Sequence, residues 1–192
     1  DVCSSDLIAQ DKAAKIWDTR SGILLADSKG HVKWVEDASL SPDGKKVIIK
    51  CYDDKIDTRI CDATNFEQLS YLSFNGISYA VRTFQFSPDG KKVVTGSADA
   101  TAKIWDAGSG VLLTNLKGHS ASFSSAVFSP DGKRIISSSN TIKLWDAAAG
   151  SPLDNFKLKA GEVYQAIFSP DGKKIVTVSA DNAANIWDAG SG

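Results

Sequence analysis

The dipeptide Trp-Asp, preceded by an aliphatic residue, recurs along this chain at nearly constant spacing. The copies end at Asp18, Asp62, Asp106, Asp146 and Asp188, and the second copy has cysteine in place of tryptophan. Successive copies are 44, 44, 40 and 42 residues apart. A fixed period in this range indicates a repeat architecture, in which each repeat is one supersecondary unit. The fold must therefore consist of similar units that cover one another's apolar faces.

A second motif, Ser-Pro-Asp-Gly-Lys, keeps the same period and begins at Ser41, Ser87, Ser129 and Ser169. Proline presets φ at the first corner of a turn, aspartate tolerates the second corner, and glycine accepts a positive φ. An alternating apolar run precedes each copy and a β-branched run follows it, which predicts a hairpin. The Trp-Asp segment, a turn of small residues and a short apolar segment complete the period. One period thus predicts a four-stranded antiparallel sheet, which is a propeller blade.

On these two motifs, the chain resembles the WD-repeat (WD40) β-propeller family. Segments such as FSPDGK and SADATAKIWDAGSG resemble bacterial members of that family. The fold class expected is all-β, a propeller of four-stranded antiparallel blades. The chain holds about four and a half blades, so we expect an incomplete, open propeller that is a fragment of a longer protein.

The expected domain organisation follows the two motifs. Residues 1–6 fit no repeat position and are expected to be a non-native or disordered leader, whereas residues 7–192 form a single propeller fragment. A partial blade is expected at 7–28, blades at about 29–73, 74–116 and 117–157, and an incomplete blade at 158–192.

Charge and cysteine usage narrow the classes of partner. The net charge is −1, with acidic and basic residues interspersed, and neither a basic tract nor a long apolar run is present. We therefore expect no nucleic acid partner and no membrane partner. The three cysteines do not form a disulfide framework by their spacing. Free thiols fit a reducing compartment, so the expected location is the cytoplasm.

The sequence indicates no catalytic residue, metal ligand or cofactor site. Its two histidines, 88 residues apart, cannot supply a histidine-rich metal site. The acidic run from Asp53 to Asp57 lacks the glycine and the distal glutamate of a calcium loop. We expect this run to be a solvated turn.

The resemblance implies a hydrogen-bonded network in each blade. It joins a loop histidine, a hydroxyl on the second strand, a turn aspartate and the tryptophan of the third strand, because a buried indole N–H needs an acceptor. No blade of this chain keeps all four members. We expect Asp99 and Asp181 to be buried acceptors. The predicted network residues are Asp11, Trp17, His31, Ser97, Asp99, Trp105, His119, Trp145, Ser179, Asp181 and Trp187.

The resemblance also implies a non-catalytic protein–protein interaction scaffold, as one module of a larger regulatory or signalling protein. The expected partner-binding residues lie where each innermost strand begins, and Trp, Tyr and Arg commonly provide binding hot spots. They are Trp34, Glu36, Arg82, Ser124 and Tyr164. For Trp34 and Tyr164, packing against a neighbouring blade is the alternative. Missing blades of the same chain are further expected partners.

Two other functions remain open on the sequence. One is a sensor or clamp that regulates an attached effector enzyme. The other is a propeller enzyme or a periplasmic propeller of the TolB type, which would require convergent histidines or carboxylates in a central channel.

Overall fold

The computed structural model describes residues 13–29, 34–52, 56–74, 81–153 and 163–191. All regular elements in these ranges are β-strands. In the same ranges, no helix has the length and apolar character that crossing a membrane would require. The strands are β1 (Lys15–Trp17), β2 (Leu24–Asp27), β3 (Trp34–Leu40), β4 (Lys46–Tyr52), β5 (Ile56–Asp62), β6 (Gln68–Tyr71), β7 (Val81–Phe86), β8 (Lys92–Ser97), β9 (Ala102–Asp106), β10 (Leu112–Leu116), β11 (Ser125–Phe128), β12 (Arg134–Ser138), β13 (Ile142–Asp146), β14 (Val163–Phe168), β15 (Lys174–Ser179) and β16 (Ala184–Asp188).

The strands form separate sheets, and within each sheet consecutive strands pair antiparallel. Strands β3–β6 and β7–β10 form four-stranded sheets, β1 pairs with β2, and β11–β13 and β14–β16 are three-stranded. Beside β13, the described residues include one isolated antiparallel bridge, between Trp145 and Pro152. Proline has no N–H with which to continue a ladder. The prediction of an all-β fold with four-stranded antiparallel sheets is confirmed, and the blade boundaries remain a prediction.

The four Ser-Pro-Asp-Gly turns have the geometry that their residues predict. Each glycine has a φ of 67–70°, the left-handed region that glycine adopts without strain. In each turn the serine hydroxyl donates to the aspartate carboxylate at 2.5–2.6 Å, and this bond lowers the pKa of that carboxyl. The same hydroxyl oxygen accepts the first N–H of the next strand at 2.9 Å. One serine side chain thus closes the turn from both sides.

The chain divides into two compact units, each with its own core. The first unit comprises residues 1–79 and 106–111, and the second comprises 80–105 and 112–192. In the first unit, Ile16 of β1 packs into one cluster with residues of β3, β4 and β5. The second unit has two clusters, one where β8 and β9 meet β11–β13, and one where β12 and β13 meet β14–β16. The sheets of the second unit therefore bury their apolar faces against each other.

Candidate interaction surface

A β-bulge lies at the start of three of the four innermost strands. In β3, β7 and β14 the pairing register shifts by one residue, which leaves Glu36, Arg82 and Tyr164 as the extra residues. A bulge bends its strand and changes the direction of the extra side chain. All three side chains are exposed. The bulges thus display the residues that the sequence placed on a partner-binding face.

In the first unit, the start of β3 carries an aromatic ring, Trp34, and a carboxylate, Glu36, whose charge is balanced by a lysine. Trp34 is exposed at the first position of β3. The carboxylate of Glu36 accepts a hydrogen bond from Lys50 Nζ at 3.1 Å, and the Lys50 side chain is nearly buried. Loss of solvation raises the pKa of the neighbouring Asp37 carboxyl. Glu36 therefore has a fixed position before any partner binds.

In the second unit, the equivalent positions present a cation, a hydroxyl and a phenol. Arg82 and Tyr164 are the bulge residues of β7 and β14, and the exposed Ser124 immediately precedes β11. The backbone N–H of Ser124 donates to the carbonyl of Ser138 at 2.9 Å, which fixes this strand end. Strand β11 contacts both β7 and β14. The three predicted residues therefore lie at corresponding ends of three neighbouring strands, and their role in binding remains a prediction.

His119 and Trp145 belong to one buried network, as the sequence predicts, and Ser137 joins them. The indole N–H of Trp145 donates to Ser137 Oγ at 2.7 Å, and Ser137 Oγ lies 2.7 Å from His119 Nε2. Because the indole can only donate, the serine oxygen accepts from it, and the same hydroxyl is hydrogen-bonded to the imidazole. Burial lowers the pKa of His119 to about 4, with a smaller contribution from Lys143. His119 is therefore neutral at pH 7 and has a structural role.

The other two buried or half-buried indoles use threonine, which corrects the predicted hydroxyl. Trp105 Nε1 donates to Thr95 Oγ1 at 2.9 Å, and Trp187 Nε1 donates to Thr177 Oγ1 at the same distance. The prediction had named Ser97 and Ser179, two residues further along the same strands. Residues two apart share a strand face, so alternation alone does not separate them. The position in the strand could have identified the correct hydroxyl. In each of these three sheets, the residue that binds the indole lies three residues after the cation that begins the second strand.

Asp99 and Asp181 are not the buried acceptors that the sequence predicted. Both are exposed. Asp99 Oδ1 accepts from the N–H and the hydroxyl of Thr101, and Asp181 Oδ1 accepts from the N–H of Ala183. These carboxylates close the turn between the second and third strands. A turn with free N–H groups satisfies an aspartate locally, so the carboxylate stays in contact with water.

The β3–β6 sheet fills the tryptophan position differently. Cys61 stands where the other sheets have tryptophan, and the buried Ile49 stands where they have the hydroxyl. On the same sheet, Asp57 is buried, contrary to the expectation of a solvated turn. Its carboxylate pairs with Arg59 Nη2 at 3.0 Å and accepts from the Tyr71 hydroxyl at 2.9 Å. Burial raises the pKa of the Cys61 thiol to about 12, so this thiol is unreactive.

The remaining predicted residues lie at the margins of the structure. Trp17 is 43% exposed on β1. Asp11, His31 and the expected leader fall outside the described residues. Within the described ranges, Cys61 is a buried free thiol and Cys51 is also buried. No group of three histidine, cysteine or acidic residues there is placed to hold a metal ion.

Repeated antiparallel blades, each closed by a Ser-Pro-Asp-Gly turn and each followed by an aliphatic–Trp–Asp strand or its degenerate form, define a repeat protein of the β-propeller class. The family model described as "WD domain, G-beta repeat" matches residues 69–106, 110–146 and 150–188, together more than half of the chain. The chain belongs to the WD40 repeat family.

Comparison with known proteins agrees with this assignment. The chain is 32% identical over 161 residues to nuclear distribution protein PAC1 of Coccidioides posadasii, a match that covers 71% of this chain and 33% of that protein. It therefore spans about a third of the length of this relative. Such relatives are eukaryotic and lend no support to a bacterial type of repeat.

Two solved structures are similar in fold. The computationally designed Ika8 protein has a TM-score of 0.73 and 26% identity, over 94% of this chain and 54% of that chain. The WD40 β-propeller domain of Doa1 has a TM-score of 0.69 and 22% identity, over 91% of this chain and 57% of that chain. The fold class is therefore that of a WD40 β-propeller, whose members typically serve as scaffolds for protein–protein interaction.

Proposed function

We propose that this chain is a non-catalytic binding module that recognises a protein partner through the starts of its innermost strands. The observation that supports the proposal is chemical variety at one structural position. The bulge position holds glutamate in β3, arginine in β7 and tyrosine in β14, whereas the strand positions on either side stay paired in the ladder. A position that varies in charge and aromaticity while its surroundings stay constant suits recognition better than stability.

In the second unit, the proposed contact residues are Arg82, Ser124 and Tyr164. In the first unit, Trp34 and Glu36 are proposed as contact residues in their own right. Arginine, tyrosine and tryptophan are enriched among residues that dominate binding energy. Arg82 offers a planar fork of donors that suits a carboxylate, and Tyr164 offers a large exposed ring with a hydroxyl at its tip. A peptide segment with an acidic residue beside an apolar one fits this pair.

We further propose that the module acts within a larger regulatory or signalling protein in the cytoplasm. The span of only a third of the PAC1 relative supports a larger protein, and the buried free thiol of Cys61 supports a reducing compartment. Regulation of an attached effector enzyme is the form that this function takes if the partner is another domain of the same protein.

The proposal is tested by changing the bulge residues without changing the core. A tagged chain with Arg82→Glu and Tyr164→Ala is compared with the unchanged chain by quantitative affinity purification from cell extract, followed by measurement of Kd for each protein recovered. Loss of two hot-spot side chains is expected to weaken the specific partner by at least about 30-fold. The thermal midpoint is expected to stay unchanged because both side chains are exposed.

Lys91→Glu provides the matched control, since it changes the charge of an exposed residue in a Ser-Pro-Asp-Gly turn. This variant is expected to retain the partner. If the control loses the partner while the bulge variant keeps it, the binding surface lies at the turns and the proposal is wrong. A screen against hydrolase substrates addresses catalysis, and turnover abolished by one substitution would overturn the non-catalytic assignment.

A further inference from the structure

All five prolines of this chain directly follow a serine, and one of these dipeptides, Ser151-Pro152, is not part of a Ser-Pro-Asp-Gly turn. In those turns, three of the four serines are at most 4% exposed, and the fourth, Ser169, is half-buried. Ser151 and Pro152 are both exposed. The same dipeptide is therefore open to another macromolecule at Ser151, whereas the fold withdraws it in the turns.

The hydroxyl of Ser151 is also free, whereas the turn hydroxyls are engaged. Each turn serine donates to the aspartate two residues later and accepts the backbone N–H five residues later. Two residues after Ser151 the chain has Leu153, which offers no carboxylate. Within the part of the chain that the structure describes, no hydrogen bond joins the Ser151 hydroxyl to another residue. This oxygen can therefore react without first breaking a bond of the fold.

The backbone holds Ser151 in an accessible, extended segment. Its carbonyl accepts the N–H of Asp146 at 3.0 Å, and Pro152 forms an antiparallel bridge with Trp145. A residue before proline is restricted to the extended region. On the N-terminal side, the residues at 148 and 149 are exposed as well. The segment can therefore enter the cleft of a modifying enzyme while β13 keeps its pairing.

The other repeats do not have serine at this place. The hydrogen bond from the N–H of the aspartate in Trp-Asp or Cys-Asp ends there at the carbonyl of Ile23, Glu67 or Val111. In those repeats the next residue begins β2, β6 or β10. Here the next residue is Pro152, which has no N–H to extend a ladder. The pair Ser151-Pro152 therefore adds little to the sheet, which favours a role other than stability.

We propose that Ser151 is a phosphorylation site for a protein kinase of the proline-directed class, which selects a serine by the proline that follows it. The Ser151 oxygen attacks the γ-phosphorus of ATP, the new O–P bond replaces the bond from that phosphorus to the ADP oxygen, and the hydroxyl proton passes to the catalytic base of the kinase. The segment 147–153 contains no charged residue. Phosphorylation gives it a charge of about −1.5 to −2 at pH 7 and three strong acceptor oxygens.

The site lies at the far end of its sheet from the proposed contact residue Ser124. Ser124 precedes β11 at the end of the sheet where β13 begins, whereas Ser151 lies opposite Asp146, where β13 ends. The rise along β13 is about 13 Å, which exceeds the screening length of about 8 Å at physiological salt. Phosphorylation is therefore expected to leave the Kd of a partner bound at the strand starts unchanged, so the two proposals can fail separately.

The test incubates the purified full chain with ATP and a mitogen-activated protein kinase, and mass spectrometry of proteolytic peptides locates the phosphate. Phosphate is expected on Ser151, with none on the turn serines. Ser151→Ala is expected to abolish incorporation. Pro152→Ala is expected to slow it by at least about tenfold, because the kinase loses the residue that it selects. The thermal midpoint of both variants is expected to stay unchanged, since both side chains are exposed.

Ser169→Ala is the matched control, because Ser169 is the most exposed of the four turn serines. It is expected to leave incorporation unchanged. Five synthetic peptides, each spanning one Ser-Pro dipeptide, are all expected to be accepted, since only the fold protects the turn serines. Equal phosphorylation of turn serines and Ser151 in the folded chain would overturn the proposal. So would a folded chain without phosphate on Ser151, or rejection of the peptide that contains it.

Discussion

The β3–β6 sheet and the β11–β13 sheet solve the same structural problem with different chemistry. In the β11–β13 sheet, the buried Trp145 is held by hydrogen bonds through Ser137 to His119. In the β3–β6 sheet, the corresponding positions hold Cys61 and Ile49, which need no hydrogen bond. The buried polar interaction of the β3–β6 sheet is instead the ion pair between Asp57 and Arg59. The blade framework therefore does not depend on tryptophan, provided that indole and hydroxyl are lost together.

The largest loss of stability is expected when the buried indole of the β11–β13 sheet is truncated. Trp145→Ala is expected to lower the free energy of unfolding by about 3–5 kcal/mol, since it leaves a large cavity. Cys61→Ala removes one sulfur atom and is expected to cost about 1 kcal/mol. Urea denaturation measures both. Trp17→Ala, at a residue 43% exposed, is the control and is expected to cost less than Trp145→Ala. Similar losses for all three would contradict the comparison.

In the β3–β6 sheet, removal of one partner of the Asp57–Arg59 ion pair is expected to destabilise the fold. Asp57→Ala is expected to cost about 3 kcal/mol, because Arg59 then stays largely buried without its carboxylate. Replacing both, with Asp57→Leu and Arg59→Met, is expected to recover most of this loss, since apolar residues of similar volume pack without a desolvation cost. Chemical denaturation of the single and double variants decides the point. A double variant as unstable as Asp57→Ala would show that packing, not charge, is at fault.

Low pH is expected to destabilise the β11–β13 sheet more than the β3–β6 sheet. Of these two sheets, only the first has a histidine, His119, among the described residues. The pKa of His119 falls from 6.5 to about 4 on folding, so the unfolded chain binds the proton more tightly. The stability that His119 contributes is complete above about pH 6.5 and is lost as the pH falls to about 4, by up to about 3 kcal/mol. Denaturation curves across this range should show the loss.

His119→Gln is the control for the acid experiment, and its stability should vary less over the same range. Titration of turn carboxylates such as Asp43 does not account for a loss of stability between pH 6.5 and about 4. Their pKa values lie below the ordinary value of 3.8, so their contribution is lost only at lower pH. An equal pH dependence in both chains would contradict the buried, neutral state of His119.

The smallest expected effect concerns the turn aspartates. Asp99→Ala removes an exposed acceptor that serves Thr101 and is expected to cost about 0.5–1 kcal/mol. Ser137→Ala, by contrast, removes the hydrogen-bond partner of the Trp145 indole N–H and of His119 Nε2, and is expected to cost about 1–3 kcal/mol. Thermal denaturation of the two variants compares them. A larger loss for Asp99→Ala would restore the buried network that the sequence predicted.

The sequence predicted the strands and turns because these depend on local residues. Each Ser-Pro-Asp-Gly turn is specified by its own four residues, and each third strand is marked by its Trp-Asp or Cys-Asp. The hydroxyl that binds the indole was not predicted, since Thr95 and Ser97 share one strand face and only the cross-strand reach of the ring separates them.

Two other features depended on information that local sequence does not contain. Asp57 follows other acidic residues, so composition indicates a solvated turn, and only its pairing with Arg59 and Tyr71 explains its burial. The bulges at Arg82 and Tyr164 have no composition marker, because any residue type can occupy them. The resemblance nevertheless predicts the same positions as contact residues, and that role remains a prediction.

A bulge also separates what evolution can change from what it must keep. The extra residue in β3, β7 or β14 has no opposite residue in the strand ladder, so its replacement leaves the pairing of the neighbouring residues in register. Substitution of Arg82 or Tyr164 is therefore expected to leave the sheet intact, whereas substitution of Glu36 removes the carboxylate that pairs with the nearly buried Lys50. Under the proposed function, such positions allow the binding surface to change by single substitutions while the strand ladder stays intact.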